Sequence, residues 1–258
     1  MKKIIQFAVR NIPRPALIRL SYIARKPISL FYKGNNYECP VCEKSFRKFL
    51  PYGNQGKENR LCPSCLSLER HRLLWLFLKE KTDFFQAPAK VLHIAPEQPF
   101  LKRFKNLKNL EYTTADLLSP IADVKTDIRD MVFDNNRFDW VICNHVLEHI
   151  DDEQKALKEI LRVLKPGGRA ILQVPIDYSL EKTYEDPSIT SRKAREKHFG
   201  QYDHLRLYGK DYEKRLQKAG FETDPNPFVK ELPEELQKRF RLDPQELIYY
   251  SKKPFSEI

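Results

Sequence analysis

The sequence lacks any apolar run long enough to span a bilayer. Its early apolar stretch, Ile4 to Val9, is cut by Arg10 and followed by no small-residue cleavage site, which excludes a secretory signal. A cytoplasmic protein is expected. Cysteine is scarce and odd in number: a disulfide framework would leave one of the five thiols over, and a reducing compartment disfavours pairing. Acidic residues are scarce at one end. Residues 1–83 hold 17 Lys and Arg against 6 Asp and Glu, whereas residues 84–258 hold 29 of each, so the whole net charge of +11 belongs to the first third. Such a field suits a phosphate-bearing partner, either RNA or an anionic membrane surface to which the chain is peripheral, or it is a plain solvated face. Glycine is absent from "VLHIAPEQPF", residues 91–100, where a glycine-rich turn would let backbone approach a ligand closely.

Four of the cysteines are better explained by metal. Cys39 and Cys42 form one C-x-x-C pair and Cys62 and Cys65 a second, separated by 19 residues, a spacing that suits a tetrahedral four-thiolate zinc site. With all four positions filled by protein, such a zinc ion is structural; the alternative is buried or redox-active thiols. Between the pairs, "FRKFLPY" and "GNQGKEN" read as strand and turn, with Phe46, Phe49 and Tyr52 among Arg47 and Lys48. Those groups would either clamp nucleic acid or form the module's small core and rim. Leu68, Leu73, Leu74, Trp75, Leu76, Phe77 and Leu78 predict a helix after Cys65, and His71 beside the cluster is a spare ligand that four thiolates make unnecessary. Upstream, "PALIRLSYIARKPISLFYK" predicts a helix opening at Pro15 and carrying Arg19, Arg25 and Lys26, which lies on a membrane surface or packs on its neighbour.

From residue 89 short apolar runs alternate with helical periodicity, the pattern of βαβ units and a parallel sheet. Strands are predicted over 90–95, 111–115, 139–144 and 169–175, and a helix over 151–164, opened by acids and stopped by "KPGG". "FETDP" and "LIYYSKK" read as a closing antiparallel pair. The expected organisation is a basic helical segment over 1–38, a zinc-ribbon-like module and linker helix over 39–83, and an α/β domain over 84–258.

The run "FDWVICNHVLEHIDDEQKALKEILRVLKPGGRAILQVP" resembles the fourth strand, helix, Lys-Pro-Gly-Gly turn and fifth strand of class I S-adenosylmethionine-dependent methyltransferases of the type 11-like group. The resemblance implies a Rossmann-like sheet of seven strands, with S-adenosylmethionine across the carboxyl ends of the first ones. It places His93, Ala95 and Glu97 in the first motif, Asp116 against the ribose hydroxyls, Asp127 and Ile128 against the adenine, and Asn144 beside the methyl-transfer position. The first motif departs from the family's glycine pattern. Pro96 and Pro99 remove two N–H donors, and Glu97 would instead pair with the ammonium of the cofactor. "VLHIAPE" resembles a variant within this superfamily that occurs in chains with paired C-x-x-C motifs.

"REKHFGQYDHLRLYGKDYEKRLQKAGF" resembles a segment after the fifth strand in the same group, so residues 176–210 are expected to cover the substrate. Methyl transfer from a sulfonium is an in-line displacement that needs alignment and, for a hydroxyl or amine acceptor, a proton acceptor, but no metal. His204 and His149 are the first candidates for that base, then His145 and Asp203. The acceptor implied is a small or saccharide molecule or, by similarity to zinc-bearing ribosomal-RNA methyltransferases, RNA. The competing reading is a non-catalytic zinc-bearing nucleic-acid-binding or adaptor protein on a degenerate methyltransferase scaffold.

Overall fold

In the computed structural model residues 25–53 and 56–255 are described. Most of the predicted basic segment, Pro15 and Arg19 included, lies outside them; Arg25 and Lys26 fall in a helical stretch over residues 25–31. The chain divides into two compact units, one of residues 1–85, 97–103 and 227–246, the other of residues 86–96, 104–226 and 247–258. Two later segments, 97–103 and 227–246, are thus grouped with the first unit rather than with the residues around them. No described helix is long and apolar enough to cross a membrane.

In the first unit two antiparallel pairs, Lys33–Cys39 with Lys44–Phe46 and Leu50–Tyr52 with Lys57–Leu61, carry the cysteines at their ends. Each C-x-x-C makes the same knuckle. Glu43 N donates to Cys39 O at 2.7 Å and Leu66 N to Cys62 O at 3.0 Å, and both donors take positive φ, 56° and 62°. The predicted helix follows as α1 (Glu69–Lys81), burying Leu73, Leu74, Leu76, Phe77 and Leu78. Phe46 and Phe49, read as either core or clamp, are each 1% exposed and pack ring to ring at 5.9 Å, so they are core.

Strands buried on both faces are largely apolar, which is why the central strands of the second unit, such as Trp140–Cys143, read as continuous runs. Seven of them form one sheet: β1 (Ala89–Ile94), β2 (Leu110–Asp116), β3 (Val124–Lys125), β4 (Phe138–Asn144), β5 (Leu164–Gln173), β6 (Glu222–Asn226) and β7 (Ile248–Lys252). Their order is β6-β7-β5-β4-β1-β2-β3, with β7 alone antiparallel to its neighbours. The β6–β7 pair is the closing pair read from "FETDP" and "LIYYSKK". Strand order reverses at β1, which has β2 on one side and β4 on the other, and ligands in open α/β sheets bind at the carboxyl ends beside such a point.

The helix predicted over 151–164 is α2 (Glu153–Val163), capped by the Asp152 side chain, which accepts from Lys155 N at 3.0 Å. Ala156, Leu157, Ile160 and Val163 recur on one face and join the core. The "KPGG" stop does not form a separate turn. β5 starts at Leu164, and because Phe138 pairs with Leu164 while Trp140 pairs with Arg169, Lys165–Gly168 are extra residues taken up as a bulge, with Gly167 at φ +74°.

Candidate functional site

In the first unit the four cysteine sulfurs lie within 4.8 Å of one another, with Cys39 Sγ 3.5 Å from Cys65 Sγ and Cys42 Sγ 3.7 Å from Cys62 Sγ. A tetrahedral zinc ion with bonds of about 2.3 Å needs sulfurs about 3.8 Å apart, so the cluster fits it. Ser67 Oγ lies 3.1 Å from Cys39 Sγ and 3.2 Å from Cys65 Sγ, a hydroxyl placed to orient two of the ligands. Arg72, fully buried, clamps the backbone around the cluster by donating to Ser67 O at 2.8 Å and Arg60 O at 3.1 Å. His71 turns away from the sulfurs. Its Nδ1 accepts from Leu68 N at 2.8 Å, capping α1, and its Nε2 lies 2.5 Å from Glu97 Oε1. One oxygen of Glu97 is therefore committed to His71, a partner that the ammonium-binding reading of Glu97 did not include.

The second unit presents the carboxyl ends of β1, β2 and β4. Ala95 directly follows β1 at φ +50°, with its N–H donating to Ala115 O at 2.8 Å. It adopts the left-handed backbone that glycine takes in the usual first motif, at a cost of about 1 kcal/mol. His93 is 0% exposed, and its Nδ1 lies 2.7 Å from Tyr112 Oη. Asp116 closes β2. Its Oδ1 accepts from Leu118 N at 2.7 Å and Ser119 N at 2.6 Å, so Oδ2 is without a hydrogen-bond partner among the described residues. Asp127 is gripped by Arg129, which donates from its backbone at 2.8 Å and from Nη2 at 2.7 Å, and which also reaches Asp151 Oδ1 at 2.6 Å. The guanidinium and backbone of Arg129 hold the Asp127 carboxyl down at about 2. Ile128 beside it is buried.

Asn144 ends β4, and His145 follows at φ +53°, donating its N–H to Gln173 O at 2.7 Å. The chain then makes a single turn, Leu147–His149. The predicted covering segment folds over that turn: Tyr184–Glu185 pairs with Arg206–Leu207, and α3 (Arg192–Phe199) runs between them from a Ser191 cap to Gly200 at φ +80°. Buried Arg206 donates to Leu147 O at 2.8 Å, Ile150 O at 2.6 Å and Asp151 O at 3.0 Å, while Leu205 N donates to Glu148 O at 2.8 Å. These bonds set His204 against His149, ring centroids 4.9 Å apart. His149 Nδ1 lies 3.2 Å from the Asp203 carbonyl and 3.8 Å from its carboxylate. His145, His149, Asp203 and His204, named separately in the sequence, thus gather in one cluster.

Sequence reasoning missed the group in their midst. Glu148 is 1% exposed, with Oε1 3.3 Å from His145 Nδ1. Burial pushes its carboxyl up, but the hydrogen bond and charge of His145 outweigh burial and hold it below its ordinary value. Burial likewise lowers His204, against the opposing charge of Glu148. The signal was the triplet "LEH", an acid flanked at three residues and one residue by histidines.

Residues 78–172 match the family described as methyltransferase domain. The chain is 33% identical over 72 residues to a ubiquinone/menaquinone biosynthesis C-methyltransferase UbiE of Idiomarina loihiensis, covering 27% of this chain and 29% of that protein. It is 48% identical over 54 residues to a demethylmenaquinone methyltransferase of Staphylococcus carnosus, covering 21% of this chain and 22% of that one. The match thus spans under a third of the length of these relatives. Among solved structures, the [4+2]-cyclase SpnF superposes with a TM-score of 0.50 at 16% identity, over 81% of this chain and 89% of that one. That likeness speaks for the fold alone. Residues 78–172 are thus similar to a methyltransferase domain, and the sheet that holds them has a Rossmann-like seven-stranded fold.

Proposed function

We propose that this chain is an S-adenosylmethionine-dependent methyltransferase, held in part by a structural zinc ion in its first unit. The observation that supports it most is at the carboxyl ends of β1 and β2. Ala95 supplies a glycine-like turn without glycine, and Asp116 keeps one oxygen without a hydrogen-bond partner among the described residues. A carboxylate with that oxygen at the end of a second strand suits the two hydroxyls of a ribose. Ile128 offers the apolar surface for an adenine, and Asp127 accepts from its amino group where Arg129 leaves room. Asn144 and His145 line the methyl-transfer position at the end of β4. Bound S-adenosylmethionine supplies an electrophilic methyl on a sulfonium; the chain's own task is to align an acceptor and remove its proton.

His204 and His149 are the first proton acceptors of this reading, with His145 and Asp203 next; Asp203 also lies against His149 Nδ1. The acceptor is a small or saccharide molecule, or an RNA drawn by the basic first third. The protein works in the cytoplasm, free or at an anionic membrane surface. Titration calorimetry with S-adenosylmethionine tests this: saturable binding that Asp116→Ala weakens at least tenfold is expected. A folded protein that takes up no cofactor at millimolar concentration would leave the adaptor reading instead. An RNA acceptor further predicts RNA binding that falls steeply with salt and disappears when Arg47, Lys48 and Lys57 are replaced by glutamine.

A further inference from the structure

The cluster behind β4 holds more than a proton acceptor requires. Glu148, His149 and His204 each offer one ligand atom, and these atoms lie within 4.8 Å of one another. Glu148 is buried, and its Oε2 has no hydrogen-bond partner among the described residues; the same is true of His204 Nδ1. A proton-transfer role for the histidines explains neither, because a carboxylate orienting either imidazole would accept a hydrogen bond from its ring N–H. Among the described residues Glu148 is paired with one side chain, that of His145, through Oε1. Buried polar atoms are ordinarily satisfied, and a carboxylate oxygen and a ring nitrogen left open within one cluster of three metal-type ligands suit a cation. The histidines are also set up as ligands. His149 Nδ1 bonds the Asp203 carbonyl at 3.2 Å, which fixes its tautomer and leaves Nε2 as the lone-pair nitrogen. His204 is mounted on its neighbours' backbone bonds, Leu205 N to Glu148 O and Arg206 to Leu147 O and Ile150 O.

We infer that Glu148, His149 and His204 form a second metal site, one that holds a divalent first-row transition ion. Resting on the methyltransferase reading but replacing His149 and His204 as its proton acceptors, the site is placed to take an acceptor oxygen in its open coordination positions, where the ion would favour loss of the proton. Two imidazoles among three donors favour Mn2+, Fe2+, Co2+ or Zn2+ over Mg2+ or Ca2+, and a set of two histidines and one carboxylate leaves positions open. Metal–donor bonds of about 2.1 Å need donors about 3 Å apart. The present spacing closes to that by rotation of the half-exposed His149 and of His204, with Glu148 as the fixed member. His145, bonded to Glu148 Oε1, acts as a positioning residue for the carboxylate.

The test is metal content rather than turnover, so its result does not depend on cofactor or acceptor being correctly identified. The full-length protein, stripped with chelator, is equilibrated with Co2+ or Mn2+ after zinc has been restored, and bound metal is counted by mass spectrometry. The wild type is expected to hold one zinc and one further equivalent. Glu148→Gln and His204→Asn should each weaken the second equivalent at least tenfold while the zinc and the thermal melt stay unchanged, and His145→Ala should weaken it about tenfold through the carboxylate alone. A wild type that holds only the cysteine-bound ion overturns the inference, as does a second equivalent that survives both ligand substitutions. Calorimetry with S-adenosylmethionine on the same metal-stripped protein reports separately on the cofactor reading.

Discussion

Two clusters in this molecule gather metal-type ligands, and they are built in opposite ways. In the cysteine cluster each pair is made by one short knuckle whose hydrogen bonds, Glu43 N to Cys39 O and Leu66 N to Cys62 O, span four residues. In the histidine cluster, Glu148 and His149 come from the turn after β4, while His204 comes from an inserted segment more than 50 residues downstream. Local turns bring ligands together whatever the rest of the chain does. A cluster assembled across an insertion depends on what pins that insertion down.

Breaking each cluster at its base sharpens the contrast. Cys62→Ser should have the largest effect: zinc lost, and with it the folded state of the module, since metal binding of this kind contributes about 10 kcal/mol or more to small zinc domains. Metal analysis and the thermal melt of the full chain check this. Next, Arg206→Met leaves Glu153 buried without one of its cationic neighbours and releases the insertion. Loss of about 3 kcal/mol from the second unit is expected, read from denaturant midpoints. Asp116→Ala should reduce cofactor affinity at least tenfold and cost about 1 kcal/mol through the lost backbone bonds, which separates binding from folding. Ala95→Gly, by relieving a left-handed alanine, should stabilise the second unit by about 0.5 kcal/mol, net of glycine's extra chain entropy.

The smallest effect is one of pH. Asp127 has its folded value held at about 2, below the roughly 3.9 of an unfolded aspartate. Its contribution is complete above about pH 4 and disappears as pH falls toward 2. Thermal melts across that range should show a shallower acid slope for Asp127→Asn than for the wild type.

The same contrast explains what could be read from the chain alone. Strands β1, β2, β4 and β5, helix α2 and both cysteine pairs are legible because apolar runs, amphipathic spacing and C-x-x-C are local patterns. The four polar candidates around the site were legible one by one from a resemblance, but their meeting was not, because it rests on Arg206 reaching the carbonyls of Leu147, Ile150 and Asp151. Glu148 escaped notice because an acid beside a short apolar run reads as solvated until burial is known. The packing of His93 was hidden for the converse reason: its place in the motif suggested a ligand contact, and only the fold shows its ring among Tyr112 and Phe104. "KPGG" was rightly read as ending a helix, but nothing local distinguishes a turn before a strand from a bulge inside one.

On the turn after β4 itself, the bonds that mount His204 run from Leu205 and Arg206 to the main-chain carbonyls of Leu147, Glu148, Ile150 and Asp151. Such an attachment is indifferent to which amino acids occupy the turn or the outer face of the cover. Natural variants of this chain can therefore reshape the surface that meets an acceptor while the imidazole keeps its place, so the scaffold can change clients without rebuilding its centre.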